Sequence, residues 1–287
     1  MKSKNQKSFF TNLIGKLKKQ AIPFDEFLEE LSKNNEKFFD NPELEFELHL
    51  SNGLPLEIYN DEIFLKTSRT LINEQTFCIV DIETNGGHVN KGHQMIEIGA
   101  VKYKGGQILD KYESLVYAKN IPKFIQEVTN INPKMLEDAP VLKTVLEEFK
   151  LFLEDDVFVA HDIKFDYNFI SNSLEKYDLG KLENRKLCTI DLSRRTIKAQ
   201  RYGLGYLKES LDINIDNHHR AYSDALSTTY LLEKSISCLD ENVKTTEDLI
   251  DFSKNAQPLM PKHQGKNRQV QNKQNDNKQE EKTKENN

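Results

Sequence analysis

The run Phe77-Cys78-Ile79-Val80 is continuously apolar and ends in Asp81-Ile82-Glu83. Such a run predicts a buried strand. Side chains at i and i+2 share one face of a strand. Asp81 and Glu83 therefore leave the sheet together, at the mouth of the core. Two anions placed so close repel unless a cation lies between them. Alone the pattern is weak, because a chain with 46 acids makes such pairs by chance, and Glu43-Leu44-Glu45-Phe46-Glu47 supplies two more.

The strand sits in the most patterned part of the chain, residues 75 to about 238. QMIEIGAVKYKGGQILDKYESLVY reads as a β-hairpin turned at Gly105–Gly106. Helices are predicted near 121–137 and 140–154, the second with Leu142, Val145, Leu146 and Phe149 as its apolar stripe. DVFVAHD reads as a short buried strand. FDYNFISNSLEKY reads as a helix with Phe165, Phe169 and Ile170 inward. LCTIDLSRR reads as another strand, and HRAYSDALSTTYLLEKSI as a long helix. This order predicts an α/β fold, a mixed sheet flanked by helices.

Three other segments are expected around this domain, which spans 74–240. In residues 1–73, Phe24, Phe27, Leu28 and Leu31 mark an amphipathic helix, and Phe9, Phe10, Leu13, Ile14 and Leu17 another. LPLEIYNDEIFLKT reads as two strands around a turn at Asn60–Asp61. Together they suggest a small α+β module, winged-helix-like. Residues 241–254 are expected as a short helix or linker. Residues 255–287, rich in Asn, Gln and Lys, are expected as a disordered tail.

The net charge of −6 is uneven. Six lysines and no acid lie in residues 1–20, and seven cations against four acids in 255–287, which leaves −15 for the body. A body this acidic repels a phosphate backbone, which argues against a passive nucleic-acid-binding module but not against an enzyme that holds cations. The basic start could touch a partner or a membrane surface, though a helix covering its own core is the simpler reading. No apolar run approaches the roughly 18–20 residues that span a bilayer. MKSKNQKSFF has no apolar core of a secretory signal. Three scattered cysteines with no CxxC pair argue against structural zinc and fit a reducing cytoplasm.

Two further elements carry acids or bases. Asp166 falls in the first turn of a helix just after a buried strand. Asp224 lies inside the long helix, five residues after His219. That separation does not share a helix face, so His219 is placed in a mobile entry to the helix, leaning toward whatever Asp224 binds. Asp81, Glu83, Asp166 and Asp224 together are hard oxygen ligands that suit two Mg²⁺ or Mn²⁺ ions. Two such ions can activate a water and stabilise an in-line phosphoryl displacement. Cations would also cancel substrate charge. An ordinary imidazole, with a pKa of about 6.5, suits the acceptor for that water's proton.

DIETNG, AHDIKFDYNF and HHRAYSDA resemble the three motifs of the DnaQ-like DEDDh family, 3′→5′ exonucleases with a ribonuclease-H-like fold. MIEIGAV, TNINPKMLEDAP and YGLGYLKE resemble the family's connecting stretches. The resemblance covers about residues 74–238. It implies a mixed five-stranded sheet. It implies that Asp81, Glu83 and Asp224 hold the metal that binds the nucleophilic water, that Asp81 bridges to a second metal with Asp166, and that His219 is the general base. His218 is out of register and takes no role. Thr84 and Asn85 would contact the terminal nucleotide, and Phe165 would pack near its base. Asn85 and Asp162 depart from the family's usual Thr and Asn, which bears on nucleotide contacts more than on metal binding.

Within the family the resemblance is to the proofreading epsilon subunit of bacterial DNA polymerase III, acting on single-stranded or frayed DNA 3′ ends. A polymerase catalytic subunit would then supply most of the DNA affinity. Gln257–Met260 faintly resembles a sliding-clamp peptide. An RNA 3′→5′ exonuclease of the same family is the alternative, and a non-catalytic scaffold is the third reading.

Overall fold

The computed structural model describes residues 6–35, 37–215 and 219–260. Most of the tail expected to be disordered, and His218, lie outside the described residues.

The chain opens with helix α1 (Gln6–Leu17), strand β1 (Ile22–Pro23), helices α2 (Phe24–Ser32) and α3 (Pro42–Ser51), and strands β2 (Leu56–Tyr59) and β3 (Glu62–Leu65). The strands form an antiparallel sheet in the order β1-β3-β2. Leu13, Leu17, Phe27, Leu31, Phe46 and Ile63 fill a core of their own. Both hairpin turn residues, Asn60 and Asp61, take positive φ, the backbone that a two-residue turn between twisted strands requires.

Helix α3 was not expected, because Leu44, Phe46, Leu48 and Leu50 alternate with a strand's period of two. Its start is set locally. The Asn41 side chain accepts from the Leu44 N–H, and Pro42 takes the first turn. The buried Glu45 carboxylate accepts from the Phe38 and Phe39 N–H groups, both at 2.9 Å.

The larger unit contains β4 (Phe77–Thr84), β5 (Met95–Lys104), β6 (Gln107–Leu115), α4 (Lys123–Thr129), α5 (Pro133–Leu136), α6 (Leu142–Leu153), β7 (Val157–Ala160), α7 (Ile163–Lys176), β8 (Lys186–Cys188), α8 (Thr189–Thr196), α9 (Leu204–Ser210), α10 (Ala221–Ile236) and α11 (Thr246–Asn255). The sheet runs β6-β5-β4-β7-β8. β4, β5 and β6 are antiparallel, and β7 and β8 run parallel to β4. This is the five-stranded mixed sheet expected.

Two predicted elements change. The helix at 121–137 breaks at Asn130, whose φ is +56°, and restarts at Pro133 behind an Asn132 cap. LCTIDLSRR is a strand only to Cys188. Beyond it Thr189, Leu192, Ser193 and Thr196 are buried at helical spacing, a polar-looking stripe that hides a helix face.

Residues 241–254, expected as a short helix or linker, contribute most of helix α11. α11 buries Leu249 and Ile250 in the sheet's core, and Leu71 bridges to Thr245. Glu247 accepts from Arg185 at 2.6 and 2.7 Å and from Thr67 at 2.8 Å, with Lys18 of the opening segment 3.2 Å away. Burial alone would raise the Glu247 carboxyl, but these partners outweigh it and hold it below its ordinary value. His49 of α3 meets Glu183 at 2.7 Å. The first unit is thus joined to the second by buried polar contacts. The expected tail at 255–287 begins too early, since Arg195 donates to the Lys254 and Ala256 carbonyls and the Leu259 N–H to the Arg194 carbonyl.

Candidate active site

The faces of β4 decide where its acids point. Cys78, Val80 and Ile82 enter the core with α6 and α7, while Phe77 and Ile79 enter the core with α8, α10 and α11. Asp81 and Glu83 continue the second face, toward the start of α10. β7 pairs with β4 only as far as Ile79–Val159. Past that point the two strands are no longer paired, and the Ile82 backbone favours the charged form of the Asp166 carboxyl. A crevice outside the carboxyl ends of the strands, where their connections diverge, is the usual ligand position in such sheets.

Asp166 and Asp224 are buried, at 3% and 5% exposure. His219 is exposed and takes a left-handed backbone, φ +64°. That turn, and not a shared helix face, carries it back to Asp224, whose Oδ2 accepts from the His219 N–H at 3.0 Å. Glu83, His219 and Asp224 each offer a ligand atom within 4.8 Å of the others.

The electrostatics follow from crowding. Burial, then the charges of Asp166, Asp224, Glu83 and Glu97, hold the Asp81 carboxyl well above its ordinary range. Burial, then Glu97, Asp224 and Asp166, push Glu83 up to about 8, against Arg220. Burial also raises Asp166, although backbone N–H groups pull it down. Without a cation Glu83 and Asp166, each raised to about 8, keep protons near neutral pH. The donor set is all hard oxygen beside one imidazole, which fits a divalent cation of the Mg²⁺ or Mn²⁺ kind.

A pH dependence follows. Between the ordinary carboxylate value and about 8 the folded chain binds more protons than the unfolded one. Stability without cations should therefore fall as pH rises through that window, by about 1.4 kcal/mol per pH unit for each retained proton. Thermal melts in EDTA from pH 5.5 to 8.5 should show the decline, and added Mn²⁺ should restore more stability at pH 8.5 than at pH 5.5.

The substrate-side residues divide. Thr84 is buried at the end of β4. Phe165 was expected inward but is 39% exposed, its ring 5.7 Å from Phe169. Only the inner face of α7 reaches the core, and Phe165 lies at its rim. Asn85 is committed within the protein. Its Oδ1 accepts from the Gln94 N–H at 2.8 Å and its Nδ2 donates to the Asn120 carbonyl at 3.2 Å. Asp162 sits at φ +83°, ψ +64°, a conformation that Asn and Asp tolerate best among side-chain-bearing residues.

Three residues near the acids were not singled out from sequence. Glu97 of β5, in register with Glu83, accepts from Arg220 at 2.9 and 2.7 Å and from the Ala221 N–H at 3.0 Å. It clasps the residue after His219 and the first N–H of α10. The signal was available, as Glu97 is a lone charge inside the apolar MIEIGAV. Lys208 of α9 donates to the Ile215 carbonyl at 3.0 Å and lies 3.9 Å from Asp224. His161 contacts the Thr189 hydroxyl and the Tyr202 carbonyl, both at 2.9 Å. Burial lowers it to about 4, so it is neutral, with Nε2–H donating to the carbonyl. Glu97→Gln should cost about 1.5–3 kcal/mol of stability and lower kcat more than it alters KM, measured by denaturant melts and steady-state kinetics.

Comparisons with known proteins bear on the family and the fold. The family model described as an exonuclease, RNase_T, matches residues 78–232. The DNA polymerase III PolC-type of Staphylococcus saprophyticus is 32% identical over 219 residues, 73% of this chain and 15% of that protein. That of Staphylococcus haemolyticus is 36% identical over 195 residues, 67% of this chain and 13% of that protein. The chain thus matches only a small part of these relatives' length. Among solved structures, exonuclease X in complex with 5′ overhanging duplex DNA superposes with a TM-score of 0.50 at 23% identity, covering 62% of this chain and 99% of that one. The nuclease domain of 3′hExo, a DEDDh family member bound to rAMP, gives 0.50 at 15% identity over 57% and 94% of the two chains. The shared architecture is the ribonuclease-H-like exonuclease fold.

Proposed function

The chain belongs to the exonuclease family whose model it matches, and on that premise we propose that it removes nucleotides from DNA 3′ ends by cation-assisted phosphodiester hydrolysis. The observation that carries the reading is the convergence of Asp81, Glu83, Asp166 and Asp224, from a strand and two helices, with Glu83 and Asp224 beside His219.

Asp81, Glu83 and Asp224 would hold one cation, and Asp81 with Asp166 a second, Mg²⁺ or Mn²⁺ in each case. Bound cations lower the pKa of water and neutralise charge on the phosphate. As ligands the carboxyls would be ionised, without the protons they otherwise retain. A ring nitrogen of His219 takes the proton of the attacking water, and the exposure of this residue gives that proton a route to solvent. Thr84 and the exposed ring of Phe165 would orient the terminal nucleotide, the ring by stacking on its base.

The PolC-type likeness supports a place in DNA replication, with this chain proofreading beside a polymerase III catalytic subunit in the manner of an epsilon subunit. Leu259 and Met260 are exposed, as a sliding-clamp peptide at Gln257–Met260 would require. The first unit runs helix, strand, two helices, two strands, an order that fits a winged-helix-like module. Its α3 exposes Glu43 and Glu47, which suits a protein contact better than a nucleic-acid one. No described helix is long and apolar enough to cross a membrane, and a cytoplasmic setting suits the free cysteines.

The test is substrate choice. The protein is given single-stranded DNA, matched and mismatched primer–templates and RNA oligomers, with Mg²⁺ or Mn²⁺. Faster trimming of mismatched than matched DNA ends supports proofreading, because unpairing a mismatch costs little. Preference for RNA overturns it.

A further inference from the structure

Between Asp191 and Glu209 the sequence holds five cations and no acid, the longest acid-free run in the acidic body. The run comprises most of α8, the loop that follows and most of α9. Two of its contacts reach the candidate site. The Tyr202 carbonyl meets His161, just ahead of the helix that carries Asp166, and Lys208 lies 3.9 Å from Asp224.

The five cations are not equivalent. Arg195 is consumed by three backbone carbonyls, at Asp191, Lys254 and Ala256. Lys208 points inward and is buried. Arg194 lies over the Tyr202 ring at 5.7 Å, and the Tyr202 hydroxyl donates to the Ile197 carbonyl at 3.0 Å, so the loop is braced. Lys198 and Arg201, on that braced loop, are exposed and form no ion pair among the described residues. In a body of net charge −15, two uncommitted cations on a rigid loop beside the carboxylates are where a polyanion gains most and desolvates least.

We propose that the Ile197–Tyr202 loop is the landing surface for the strand's backbone, with Lys198 and Arg201 contacting phosphates upstream of the bond being cut. This rests on the nucleic-acid reading of the site. It supplies that reading with the attraction the acidic body lacks.

The test separates binding from chemistry. Affinity of the full chain for 5′-fluorescein-labelled dT12 and rU12 is measured by anisotropy in EDTA, from 25 to 200 mM salt. Lys198→Glu with Arg201→Glu should weaken binding at 50 mM salt at least tenfold. It should also reduce the slope of log affinity against log salt by about 1.4, near 0.7 for each lost single-strand contact. The corresponding double Gln variant should fall between. Turnover of the p-nitrophenyl ester of thymidine 5′-monophosphate, which has no upstream phosphate, should stay within twofold. Reversal at Lys33 and Lys143, also exposed, should leave strand binding within twofold. Unchanged affinity and slope in the Lys198/Arg201 variant, or equal weakening by the control pair, overturns the inference. Strand binding lost in the variant while even the unaltered chain hydrolyses neither ester nor strand supports the surface and refutes the hydrolase reading instead.

Discussion

Asp81→Asn should abolish nuclease activity, by at least about 10³-fold, and raise the melting temperature of the cation-free protein at pH 8. Both effects have one cause. Asp81 is half-buried and crowded by Asp166, Asp224, Glu83 and Glu97, and its carboxyl resists ionisation for that reason. An amide of the same shape cannot repel its neighbours, so the fold gains about 1–3 kcal/mol. The same amide is a poor ligand for a hard cation, so the chemistry is lost. Equal melting temperatures with and without the substitution in EDTA would show that the acids are not in electrostatic conflict. Differential scanning fluorimetry at pH 6 and pH 8, beside a nuclease assay, reads both quantities. The gain should be larger at pH 8, where more of the unaltered cluster is ionised.

Gly99→Ala should cost about 3 kcal/mol or more and take the activity with it. Gly99 is opposite Asp81 in the ladder. A Cβ there would stand 2.2 Å from the Tyr222 nitrogen and 2.4 Å from the Ala221 carbonyl carbon. Those are backbone atoms of the first turn of α10, so no side chain can swing away. The helix must move off β5, and with it Asp224, the Arg220 clasp and the turn that presents His219. Overpacking of this kind falls at the severe end of small-to-large changes. Gly15 is the contrasting position. It lies within α1 with nothing inside 4 Å of an added Cβ, and Gly15→Ala should stabilise by about 0.5–1 kcal/mol. Urea melts of the two variants should move in opposite directions. A harmless Gly99→Ala would mean that the α10–β5 approach is not what seats Asp224.

The acids were legible in sequence for a physical reason. A strand buried in the core must be apolar, so Asp81 and Glu83 stand out at its end. Asp224 likewise interrupts the first turn of a helix whose remaining inner face is apolar or small. What escaped was whatever depends on contacts distant in sequence. Glu97 looked like one polar residue in a hairpin, and only its pairing with Arg220, 123 residues away, makes it a clasp. Asn85 looked free for a nucleotide, but its amide closes its own loop. α3 carries a strand's alternation yet is helical, because an Asn cap and Pro42 start a helix that tertiary packing completes. α8 hides its inner face behind Thr and Ser. The link between the two units rests on Lys18, Thr67, Arg185 and Glu247 and on His49 with Glu183, polar residues that no periodicity connects.

The account turns on these carboxylates cutting strands from the 3′ end. The most direct measurement follows a 5′-labelled single-stranded DNA 20-mer with Mn²⁺ on a denaturing gel, for the unaltered chain and for Asp81→Asn. A ladder of labelled products that shortens step by step, with nucleoside 5′-monophosphates released and no ladder from Asp81→Asn, is the predicted result. Immediate release of the labelled terminal nucleotide, or an equal ladder from Asp81→Asn, would contradict it.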